Sequence, residues 1–240
     1  MKYIIKWHIG NCSDAGLNCL KKSISSFRKF YPEAEFHILY NQIKKKELFN
    51  LNKFDVQYHD QINYLSSFPI KPLAGYQVHW KLYPPRINKD VHEISVDNDI
   101  VIFKRIKEID LFLDSTKHTL LYQGLNGAHG YFSEYIPRGI RINSGIFGMP
   151  PHFDFIDKMK DIKMLDNWEN KFDEQGLIAY VLLKDKKYFI IPLTSIPILE
   201  SNFDIVAMTN DLCCGYHFVG VNYIDNHICW KNYCKRLKFI

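Results

Sequence analysis

The chain has 240 residues, 47% of them apolar, with six cysteines and a formal charge of +5. That is enough apolar material for the core of a large α/β domain, and no stretch approaches the roughly 18 to 20 apolar residues that cross a bilayer. The charge is modest and spread along the chain, which excludes the concentrated basic footprint of a nucleic-acid binder and suits a small anionic substrate such as a phosphate ester.

In chain order, the opening "MKYIIKWHIGNC" has too short an apolar run, broken by Lys6 and His8, for a signal peptide. A cytoplasmic protein with reduced thiols is therefore expected. "KYIIKWHI" predicts a buried strand and "GNCSDAG" a loop in which Ser13 or Asp14 caps a helix. Leu17, Leu20, Ile24, Phe27 and Tyr31 then recur at helical spacing until Pro32 stops the helix. "EFHILYN" completes a βαβ unit, whose crossover implies parallel strands in a covered sheet. Ligands of such sheets bind beyond the carboxyl ends of the strands, which points to His8, Gly10 and Asn11, with Trp7 beside them.

Further along, "KKKELF" predicts a short helix, "DVQYHD" a strand, and "KPLAGYQVHWKLYPPRI" a helix that ends before Pro84. "EISVDNDIVIF", "HTLLYQG", "RINSGIFGM" and "KYFIIPL" predict strands, and "FDFIDKMKDIKML" and "DEQGLIAYVLLKD" helices. With no repeat, low-complexity tract or linker, residues 1–240 are expected to form one α/β domain built on a mixed sheet. The last four cysteines, Cys213, Cys214, Cys229 and Cys234, match no paired C-x-x-C zinc spacing.

"EISVDNDIVIF" is the most informative stretch. Residues two apart in an extended chain share a face, so Asp97 and Asp99 project together with Asn98 opposite. Two carboxylates at the rim of an apolar strand repel each other unless a divalent cation joins them, and magnesium or manganese prefers such carboxylate oxygens together with phosphate oxygens. The pair points to a metal bridging the protein to a phosphorylated ligand, although D-x-D also occurs at ordinary solvated strand ends.

Five segments, in order, resemble the GT-A glycosyltransferases, in particular the retaining nucleotide-sugar-dependent enzymes of the family 8 and family 6 kind. "WKLYPPRI" resembles the helix whose basic residue, here Lys81, faces the donor. "EISVDNDIVI" resembles the D-x-D strand, "INSGIFGMP" the strand that contacts the donor sugar, "KFDEQGLIAYVL" the acidic helix start at the sugar's reactive face, and "YHFVG" the late segment that closes the metal site. The resemblance implies a single Rossmann-like GT-A domain and a hexosyltransferase of glycan biosynthesis. Its donor would be a UDP- or GDP-sugar and its acceptor a glycan or other hydroxyl compound. Asp97, Asp99 and His217 would hold Mn2+ or Mg2+, the imidazole favouring manganese. Asn98, Asn143, Ser144 and Gly220 would join His8, Gly10, Asn11 and Lys81 in donor binding.

Glu174 then falls beneath the anomeric carbon, as nucleophile or ion-pair stabiliser in a retaining enzyme or as general base in an inverting one, and Asp173 falls where a sugar hydroxyl or the acceptor binds. Helix-dipole preference alone also places acids at such a start, and "NSG" is equally a plain turn. Tyr131 and Tyr135, in the loop "GLNGAHGYFSEYIPRG", either stack on an acceptor sugar or pack the loop down. The sequence departs from these enzymes after His217: no lysine follows until Lys231, so either Lys231 reaches back to the diphosphate or His227 and Lys81 replace it. The tail "CWKNYCKRLKFI" is compatible with peripheral docking on an anionic membrane or with a last helix packed on its own domain. A nucleotidyltransferase would want a basic glycine-rich loop after the first strand, and "GNCSDAG" has no lysine or arginine. Against a non-catalytic sugar- or nucleotide-binding module on the same fold, the alternative reading, stand the intact Asp97 and Asp99 together with His217 and Glu174.

Overall fold

The computed structural model describes residues 2–41, 51, 54–71, 77–161, 168–200, 213–222 and 227–237. β1 (Tyr3–Ile9), α1 (Asp14–Phe30) and β2 (Glu35–Tyr40) form the expected parallel βαβ unit. Ser13, not Asp14, caps α1: its Oγ accepts from the Gly16 N–H at 3.1 Å. The apolar stripe Leu17, Leu20, Ile24 and Phe27 is buried against the sheet. Beyond β3 (Gln57–Asp60), a 3-10 helix, Gln77–Leu82, occupies the described part of the segment expected to be α-helical. The "KKKELF" segment lies outside the described residues.

The later elements are β4 (His92–Val96), β5 (Ile100–Ile102), α2 (Lys107–Leu113), β6 (Thr119–Gln123), β7 (Ile142–Met149), α3 (Phe155–Lys158), α4 (Asp173–Leu183), β8 (Tyr188–Ile191), β9 (Gly215–His217) and α5 (Ile228–Leu237). Seven strands make one mixed sheet in the order β3-β2-β1-β4-β7-β6-β8, with β7 antiparallel to both neighbours, while β5 and β9 form a separate two-stranded ladder. "EISVDNDIVIF" is therefore two strands of different sheets, not one. The acids sit on the turn between them, where the Ile100 N–H donates to the Asp97 carbonyl at 3.2 Å.

Alternate residues of the central strands feed two cores. Tyr3, Ile5 and Trp7 pack toward α1, and Phe147 and Met149 of β7 pack toward α4. Trp7 is thereby removed from the ligand end of β1. Its Nε1 donates to Ser23 Oγ at 2.9 Å and its ring stacks on Phe36 with centroids 5.7 Å apart. α4 is buried on nearly every face, as expected of a helix between a sheet and an outer layer. In α5, Trp230 and Tyr233 pack on Phe218, at 5.2 and 5.3 Å between ring centroids, so these two aromatic residues of the tail are used within the fold.

Lys6, which breaks the apolar pattern of β1, faces the other side and is fully buried. Its Nζ lies 3.0 Å from Glu93 Oε2 and donates to the Pro85 carbonyl at 2.7 Å. Glu93 Oε1 in turn accepts the N–H groups of Ile87 and Asn88 at 2.8 and 2.5 Å, anchoring the segment that enters β4. Removing one member of a buried pair strands the other's charge. Glu93→Ala is expected to cost about 3 to 5 kcal/mol in urea unfolding, and Lys6→Met added to it should recover part of that loss.

Candidate active site

β1 and β4 are adjacent and parallel, with Trp7 opposite Val96, so the chain leaves both strands at the same edge of the sheet. The Asp97–Asp99 turn at that edge is pinned from two sides. The Asp97 N–H donates to the Gly145 carbonyl of β7 at 2.7 Å, and the Phe218 N–H donates to the Asp99 carbonyl at 2.9 Å. Because Ile100 pairs with His217 across the β5–β9 ladder, the late histidine arrives beside both acids. His217 Nε2 lies 3.1 Å from Asp99 Oδ1 and 3.9 Å from Asp97 Oδ2.

The ligand atoms of Asp97, Asp99 and His217 all fall within 4.8 Å of one another. Asp99 Oδ1 and His217 Nδ1 are buried without a well-formed hydrogen bond, a costly state for polar atoms unless something else satisfies them. Two carboxylates and an imidazole gathered around a buried anionic oxygen without a well-formed hydrogen bond fit a divalent cation.

Lys81, carried by the Gln77–Leu82 3-10 helix, is buried and reaches Asp97 Oδ1 at 2.7 Å, the Ser144 carbonyl at 3.2 Å and Ser144 Oγ at 3.1 Å. Those contacts use the ammonium's three donors. Burial pulls its pKa down, but the charges of Asp97, Glu174 and Asp99 outweigh that and hold it above the ordinary lysine value. Ser144 Oγ donates to Glu174 Oε2 at 3.3 Å, so a chain of contacts runs from Asp97 through Lys81 and Ser144 to Glu174. Glu174, in the first turn of α4, is fully buried, with Oε1 unpartnered. Burial, helped by the nearby charge of Asp97 and opposed by Lys81 and the Ser144 hydrogen bond, raises its pKa to about 7.

These groups line a cleft of ≈ 390 Å³ that also takes in His8, Gly10, Asn98, Asn143 and Gly220. Burial, reinforced by the charges of Lys6 and Lys81, pushes His8 well below the usual histidine value, so it is neutral. Asn98 exchanges two hydrogen bonds with Asn222, a residue the sequence reading did not single out. The space left by Gly145 is taken up by protein groups: a Cβ there would meet Asn143 Oδ1 at 2.7 Å and His217 Cε1 at 2.8 Å. Gly145→Ala is expected to displace the His217 ring and weaken Mn2+ binding by about 10-fold or more, as changes that reorient a metal ligand do, read by titration of the metal alone.

Several expected positions lie elsewhere. Asn11 is exposed and outside the cleft lining. Asp173 is fully buried but does not line the cleft. Its Oδ1 accepts from the Tyr131 N–H at 2.9 Å and its Oδ2 from those of Glu169 and Asn170 at 2.7 and 2.8 Å, so its carboxylate ties the α4 start to the preceding loop. Tyr131 and Tyr135 also lie outside the lining; they pack on each other, and Tyr135 meets Tyr180 edge-on with centroids 5.8 Å apart. His227 is buried, its Nε2 3.0 Å from the Val219 carbonyl and its Nδ1 accepting from the Trp230 N–H, so it does not face the cleft.

Besides Asn222, the cleft is lined by Gln175 and Lys171, which the sequence pattern did not single out. Gln175 Oε1 accepts the Ser144 N–H at 3.2 Å while its Nε2 donates to the Ala128 carbonyl at 2.7 Å. Its amide in "FDEQG", one residue past Glu174, was the available signal. Lys171 lines the cleft mouth, its Nζ 5.0 Å from the Phe172 ring centroid, with no carboxylate partner among the described residues.

The chain has the GT-A glycosyltransferase fold, shown by its likeness to solved structures of that fold, and within it β4 runs into an Asp-x-Asp turn that meets a late histidine. It is similar to the crystal structure of mouse xyloside xylosyltransferase 1 in its apo form, with a TM-score of 0.58 and 10% identity over 93% of this chain and 100% of that one. It is also similar to the galactosyltransferase LgtC in complex with donor and acceptor sugar analogs, with a TM-score of 0.54 and 12% identity over 98% and 96% of the two chains. Apo GlyE of Streptococcus pneumoniae TIGR4 matches with a TM-score of 0.53 and 12% identity, over 99% of this chain and 64% of its own. No protein-family model and no curated protein sequence matches the chain.

Proposed function

We propose that this protein is a divalent-metal-dependent hexosyltransferase that moves a sugar from a nucleoside-diphosphate sugar to a hydroxyl of a glycan acceptor. One observation carries the reading: a carboxylate–carboxylate–imidazole group and a buried glutamate with a pKa near neutrality share one cleft, joined through Lys81 and Ser144. Asp97, Asp99 and His217 hold the cation, with manganese preferred on the imidazole. When bound, the metal supplies Lewis-acid stabilisation of the departing diphosphate.

The chain's own groups do the rest. Lys81, its donors taken up by Asp97 and Ser144, fixes the distance between the metal side and the sugar side of the cleft. Glu174 titrates near neutral pH, so it can either present negative charge to an oxocarbenium-like carbon or exchange a proton with an acceptor hydroxyl. Neutral His8, with Gly10 and Gly220, lines the end where the nucleotide rests, for which a UDP- or GDP-sugar is proposed. Lys171 at the mouth meets a phosphate or an acidic group of the acceptor. Retention is proposed on the resemblance of "INSG" and "FDEQG". No described helix is long and apolar enough to cross a membrane. A cytoplasmic site of action is proposed, and any contact with an anionic membrane would run through exposed Lys231 and Lys235 of α5.

The test is a thermal-shift screen of UDP- and GDP-sugars with and without MnCl2, followed by NMR of the product anomer for any donor that stabilises. Stabilisation by one donor that requires the metal, followed by transfer, is the expected result. Stabilisation without turnover on any hydroxyl acceptor would favour the binding-module reading, and transfer that persists in excess chelator would remove the metal from it.

A further inference from the structure

We infer that Asn222 is a positioning residue for the metal-binding turn, acting through a reciprocal amide pair with Asn98; the inference rests on the metal reading above. Asn98 lies between Asp97 and Asp99. Its Nδ2 donates to Asn222 Oδ1 at 2.7 Å, and Asn222 Nδ2 donates to Asn98 Oδ1 at 2.9 Å. Turning one amide over would put like atoms against each other in both contacts, so the two orientations fix one another. The exchange uses one N–H and one oxygen lone pair of each side chain, and both residues line the cleft.

The surroundings show a built contact. The Asn222 carbonyl accepts the Ser13 N–H at 3.2 Å, and Ser13 Oγ donates to the Val221 carbonyl at 3.1 Å, so the same segment holds the cap of α1. Gly16, in the first turn of α1, provides the space: a Cβ there would fall 2.3 Å from Asn222 Oδ1. The main chain ties Asp97 to β7 and Asp99 to Phe218, as described above, but neither of those bonds holds Asn98. The amide pair is its tie, and it binds the turn to the segment that also carries His217 and Gly220. Two metal ligands and the third thereby sit on a frame closed by Asn222, which itself contributes no ligand atom. Groups that orient metal ligands without touching the metal typically change metal affinity by about 10- to 100-fold when removed.

The experiment titrates Mn2+ alone into the full chain and follows the free-ion EPR signal, with unfolding in EDTA measured on the same samples. Asn222→Ala is expected to weaken Mn2+ binding about 10- to 100-fold, and Asn98→Ala to do the same, because either change breaks both bonds. The double variant should be no worse than the weaker single, which separates one shared contact from two independent losses. Asn98→Ala serves where Asn222→Ala fails to fold, since the backbone bonds of the turn stay in place. Mn2+ affinity within twofold of the wild type in a folded single variant overturns the inference, as do strictly additive losses. A wild-type chain that binds no Mn2+ overturns the metal reading and this one with it, whereas wild-type binding with unaffected variants overturns this one alone.

Discussion

Glu174→Gln is expected to make the metal-free protein more stable at pH 8 and to abolish most of its sugar transfer. The carboxyl's pKa is about 7 in the fold against an ordinary value of 4.5. The folded state therefore holds a proton that the unfolded chain gives up between those two values. Where the native state binds more protons, stability falls as pH rises. The contribution is fully present below about pH 4.5 and is lost as pH passes through about 7. A shift of that size corresponds to about 3 kcal/mol at pH 8, a penalty the neutral glutamine does not carry. Urea unfolding in EDTA at pH 5 and pH 8 reads it directly: wild type should lose stability between the two, and the variant should not. Transfer should fall by about 100- to 10,000-fold, the range for a positioned proton-transfer group, while donor binding is retained. A variant less stable than wild type at pH 8 would mean that Glu174 is ionised and well paired, contrary to the unpartnered Oε1. Equal loss of donor binding and turnover would make it a binding residue.

Asp99→Asn should separate metal binding from folding even more sharply. Asp99 is almost fully buried, close to Asp97 and His217, and its Oδ1 has no well-formed hydrogen bond. In EDTA the asparagine is neutral and nearly isosteric, so it relieves carboxylate repulsion and the melting temperature should hold or rise. In wild type, Mn2+ at 100 times its dissociation constant should add about 2.7 kcal/mol of stability, and the variant should show none of it. Metal-dependent transfer should drop by about 1,000-fold, equivalent to the several kcal/mol of charge stabilisation a Lewis acid gives. Mn2+-induced stabilisation that survives in Asp99→Asn would place the ion elsewhere.

Much of this site was legible along the chain because it depends on local order. The βαβ start, with its stripe from Leu17 to Phe27, sends β1 toward the cleft, and Asp97, Asp99 and Glu174 stand at element ends where polar groups signal function against apolar flanks. Less legible were the residues whose partners are distant in sequence. "FDEQG" holds two acids with the same local propensity for a helix start. Glu174 faces the cleft, while Asp173 caps backbone N–H groups on the other side. Tyr131 and Tyr135 had two compatible readings, and packing against Tyr180 accounts for Tyr135 within the fold. Asn222 gave no signal, because its significance is its distance to Asn98, 124 residues away.

What the amino-acid order determines by itself is periodicity, capping and the types of group at element ends, since these arise from interactions within a few residues. That was sufficient for the α/β class, the mixed sheet and the acidic pair. The tertiary structure alone decided that the strand breaks at Asp97, that β5 leaves the main sheet to pair with β9, and that His217 thereby meets both acids. It also decided which buried charges are paired, Lys6 with Glu93 and Lys81 with Asp97, and which carboxyl is held near neutrality. Desolvation and Coulomb energy depend on distances through space, and a linear pattern does not contain those distances.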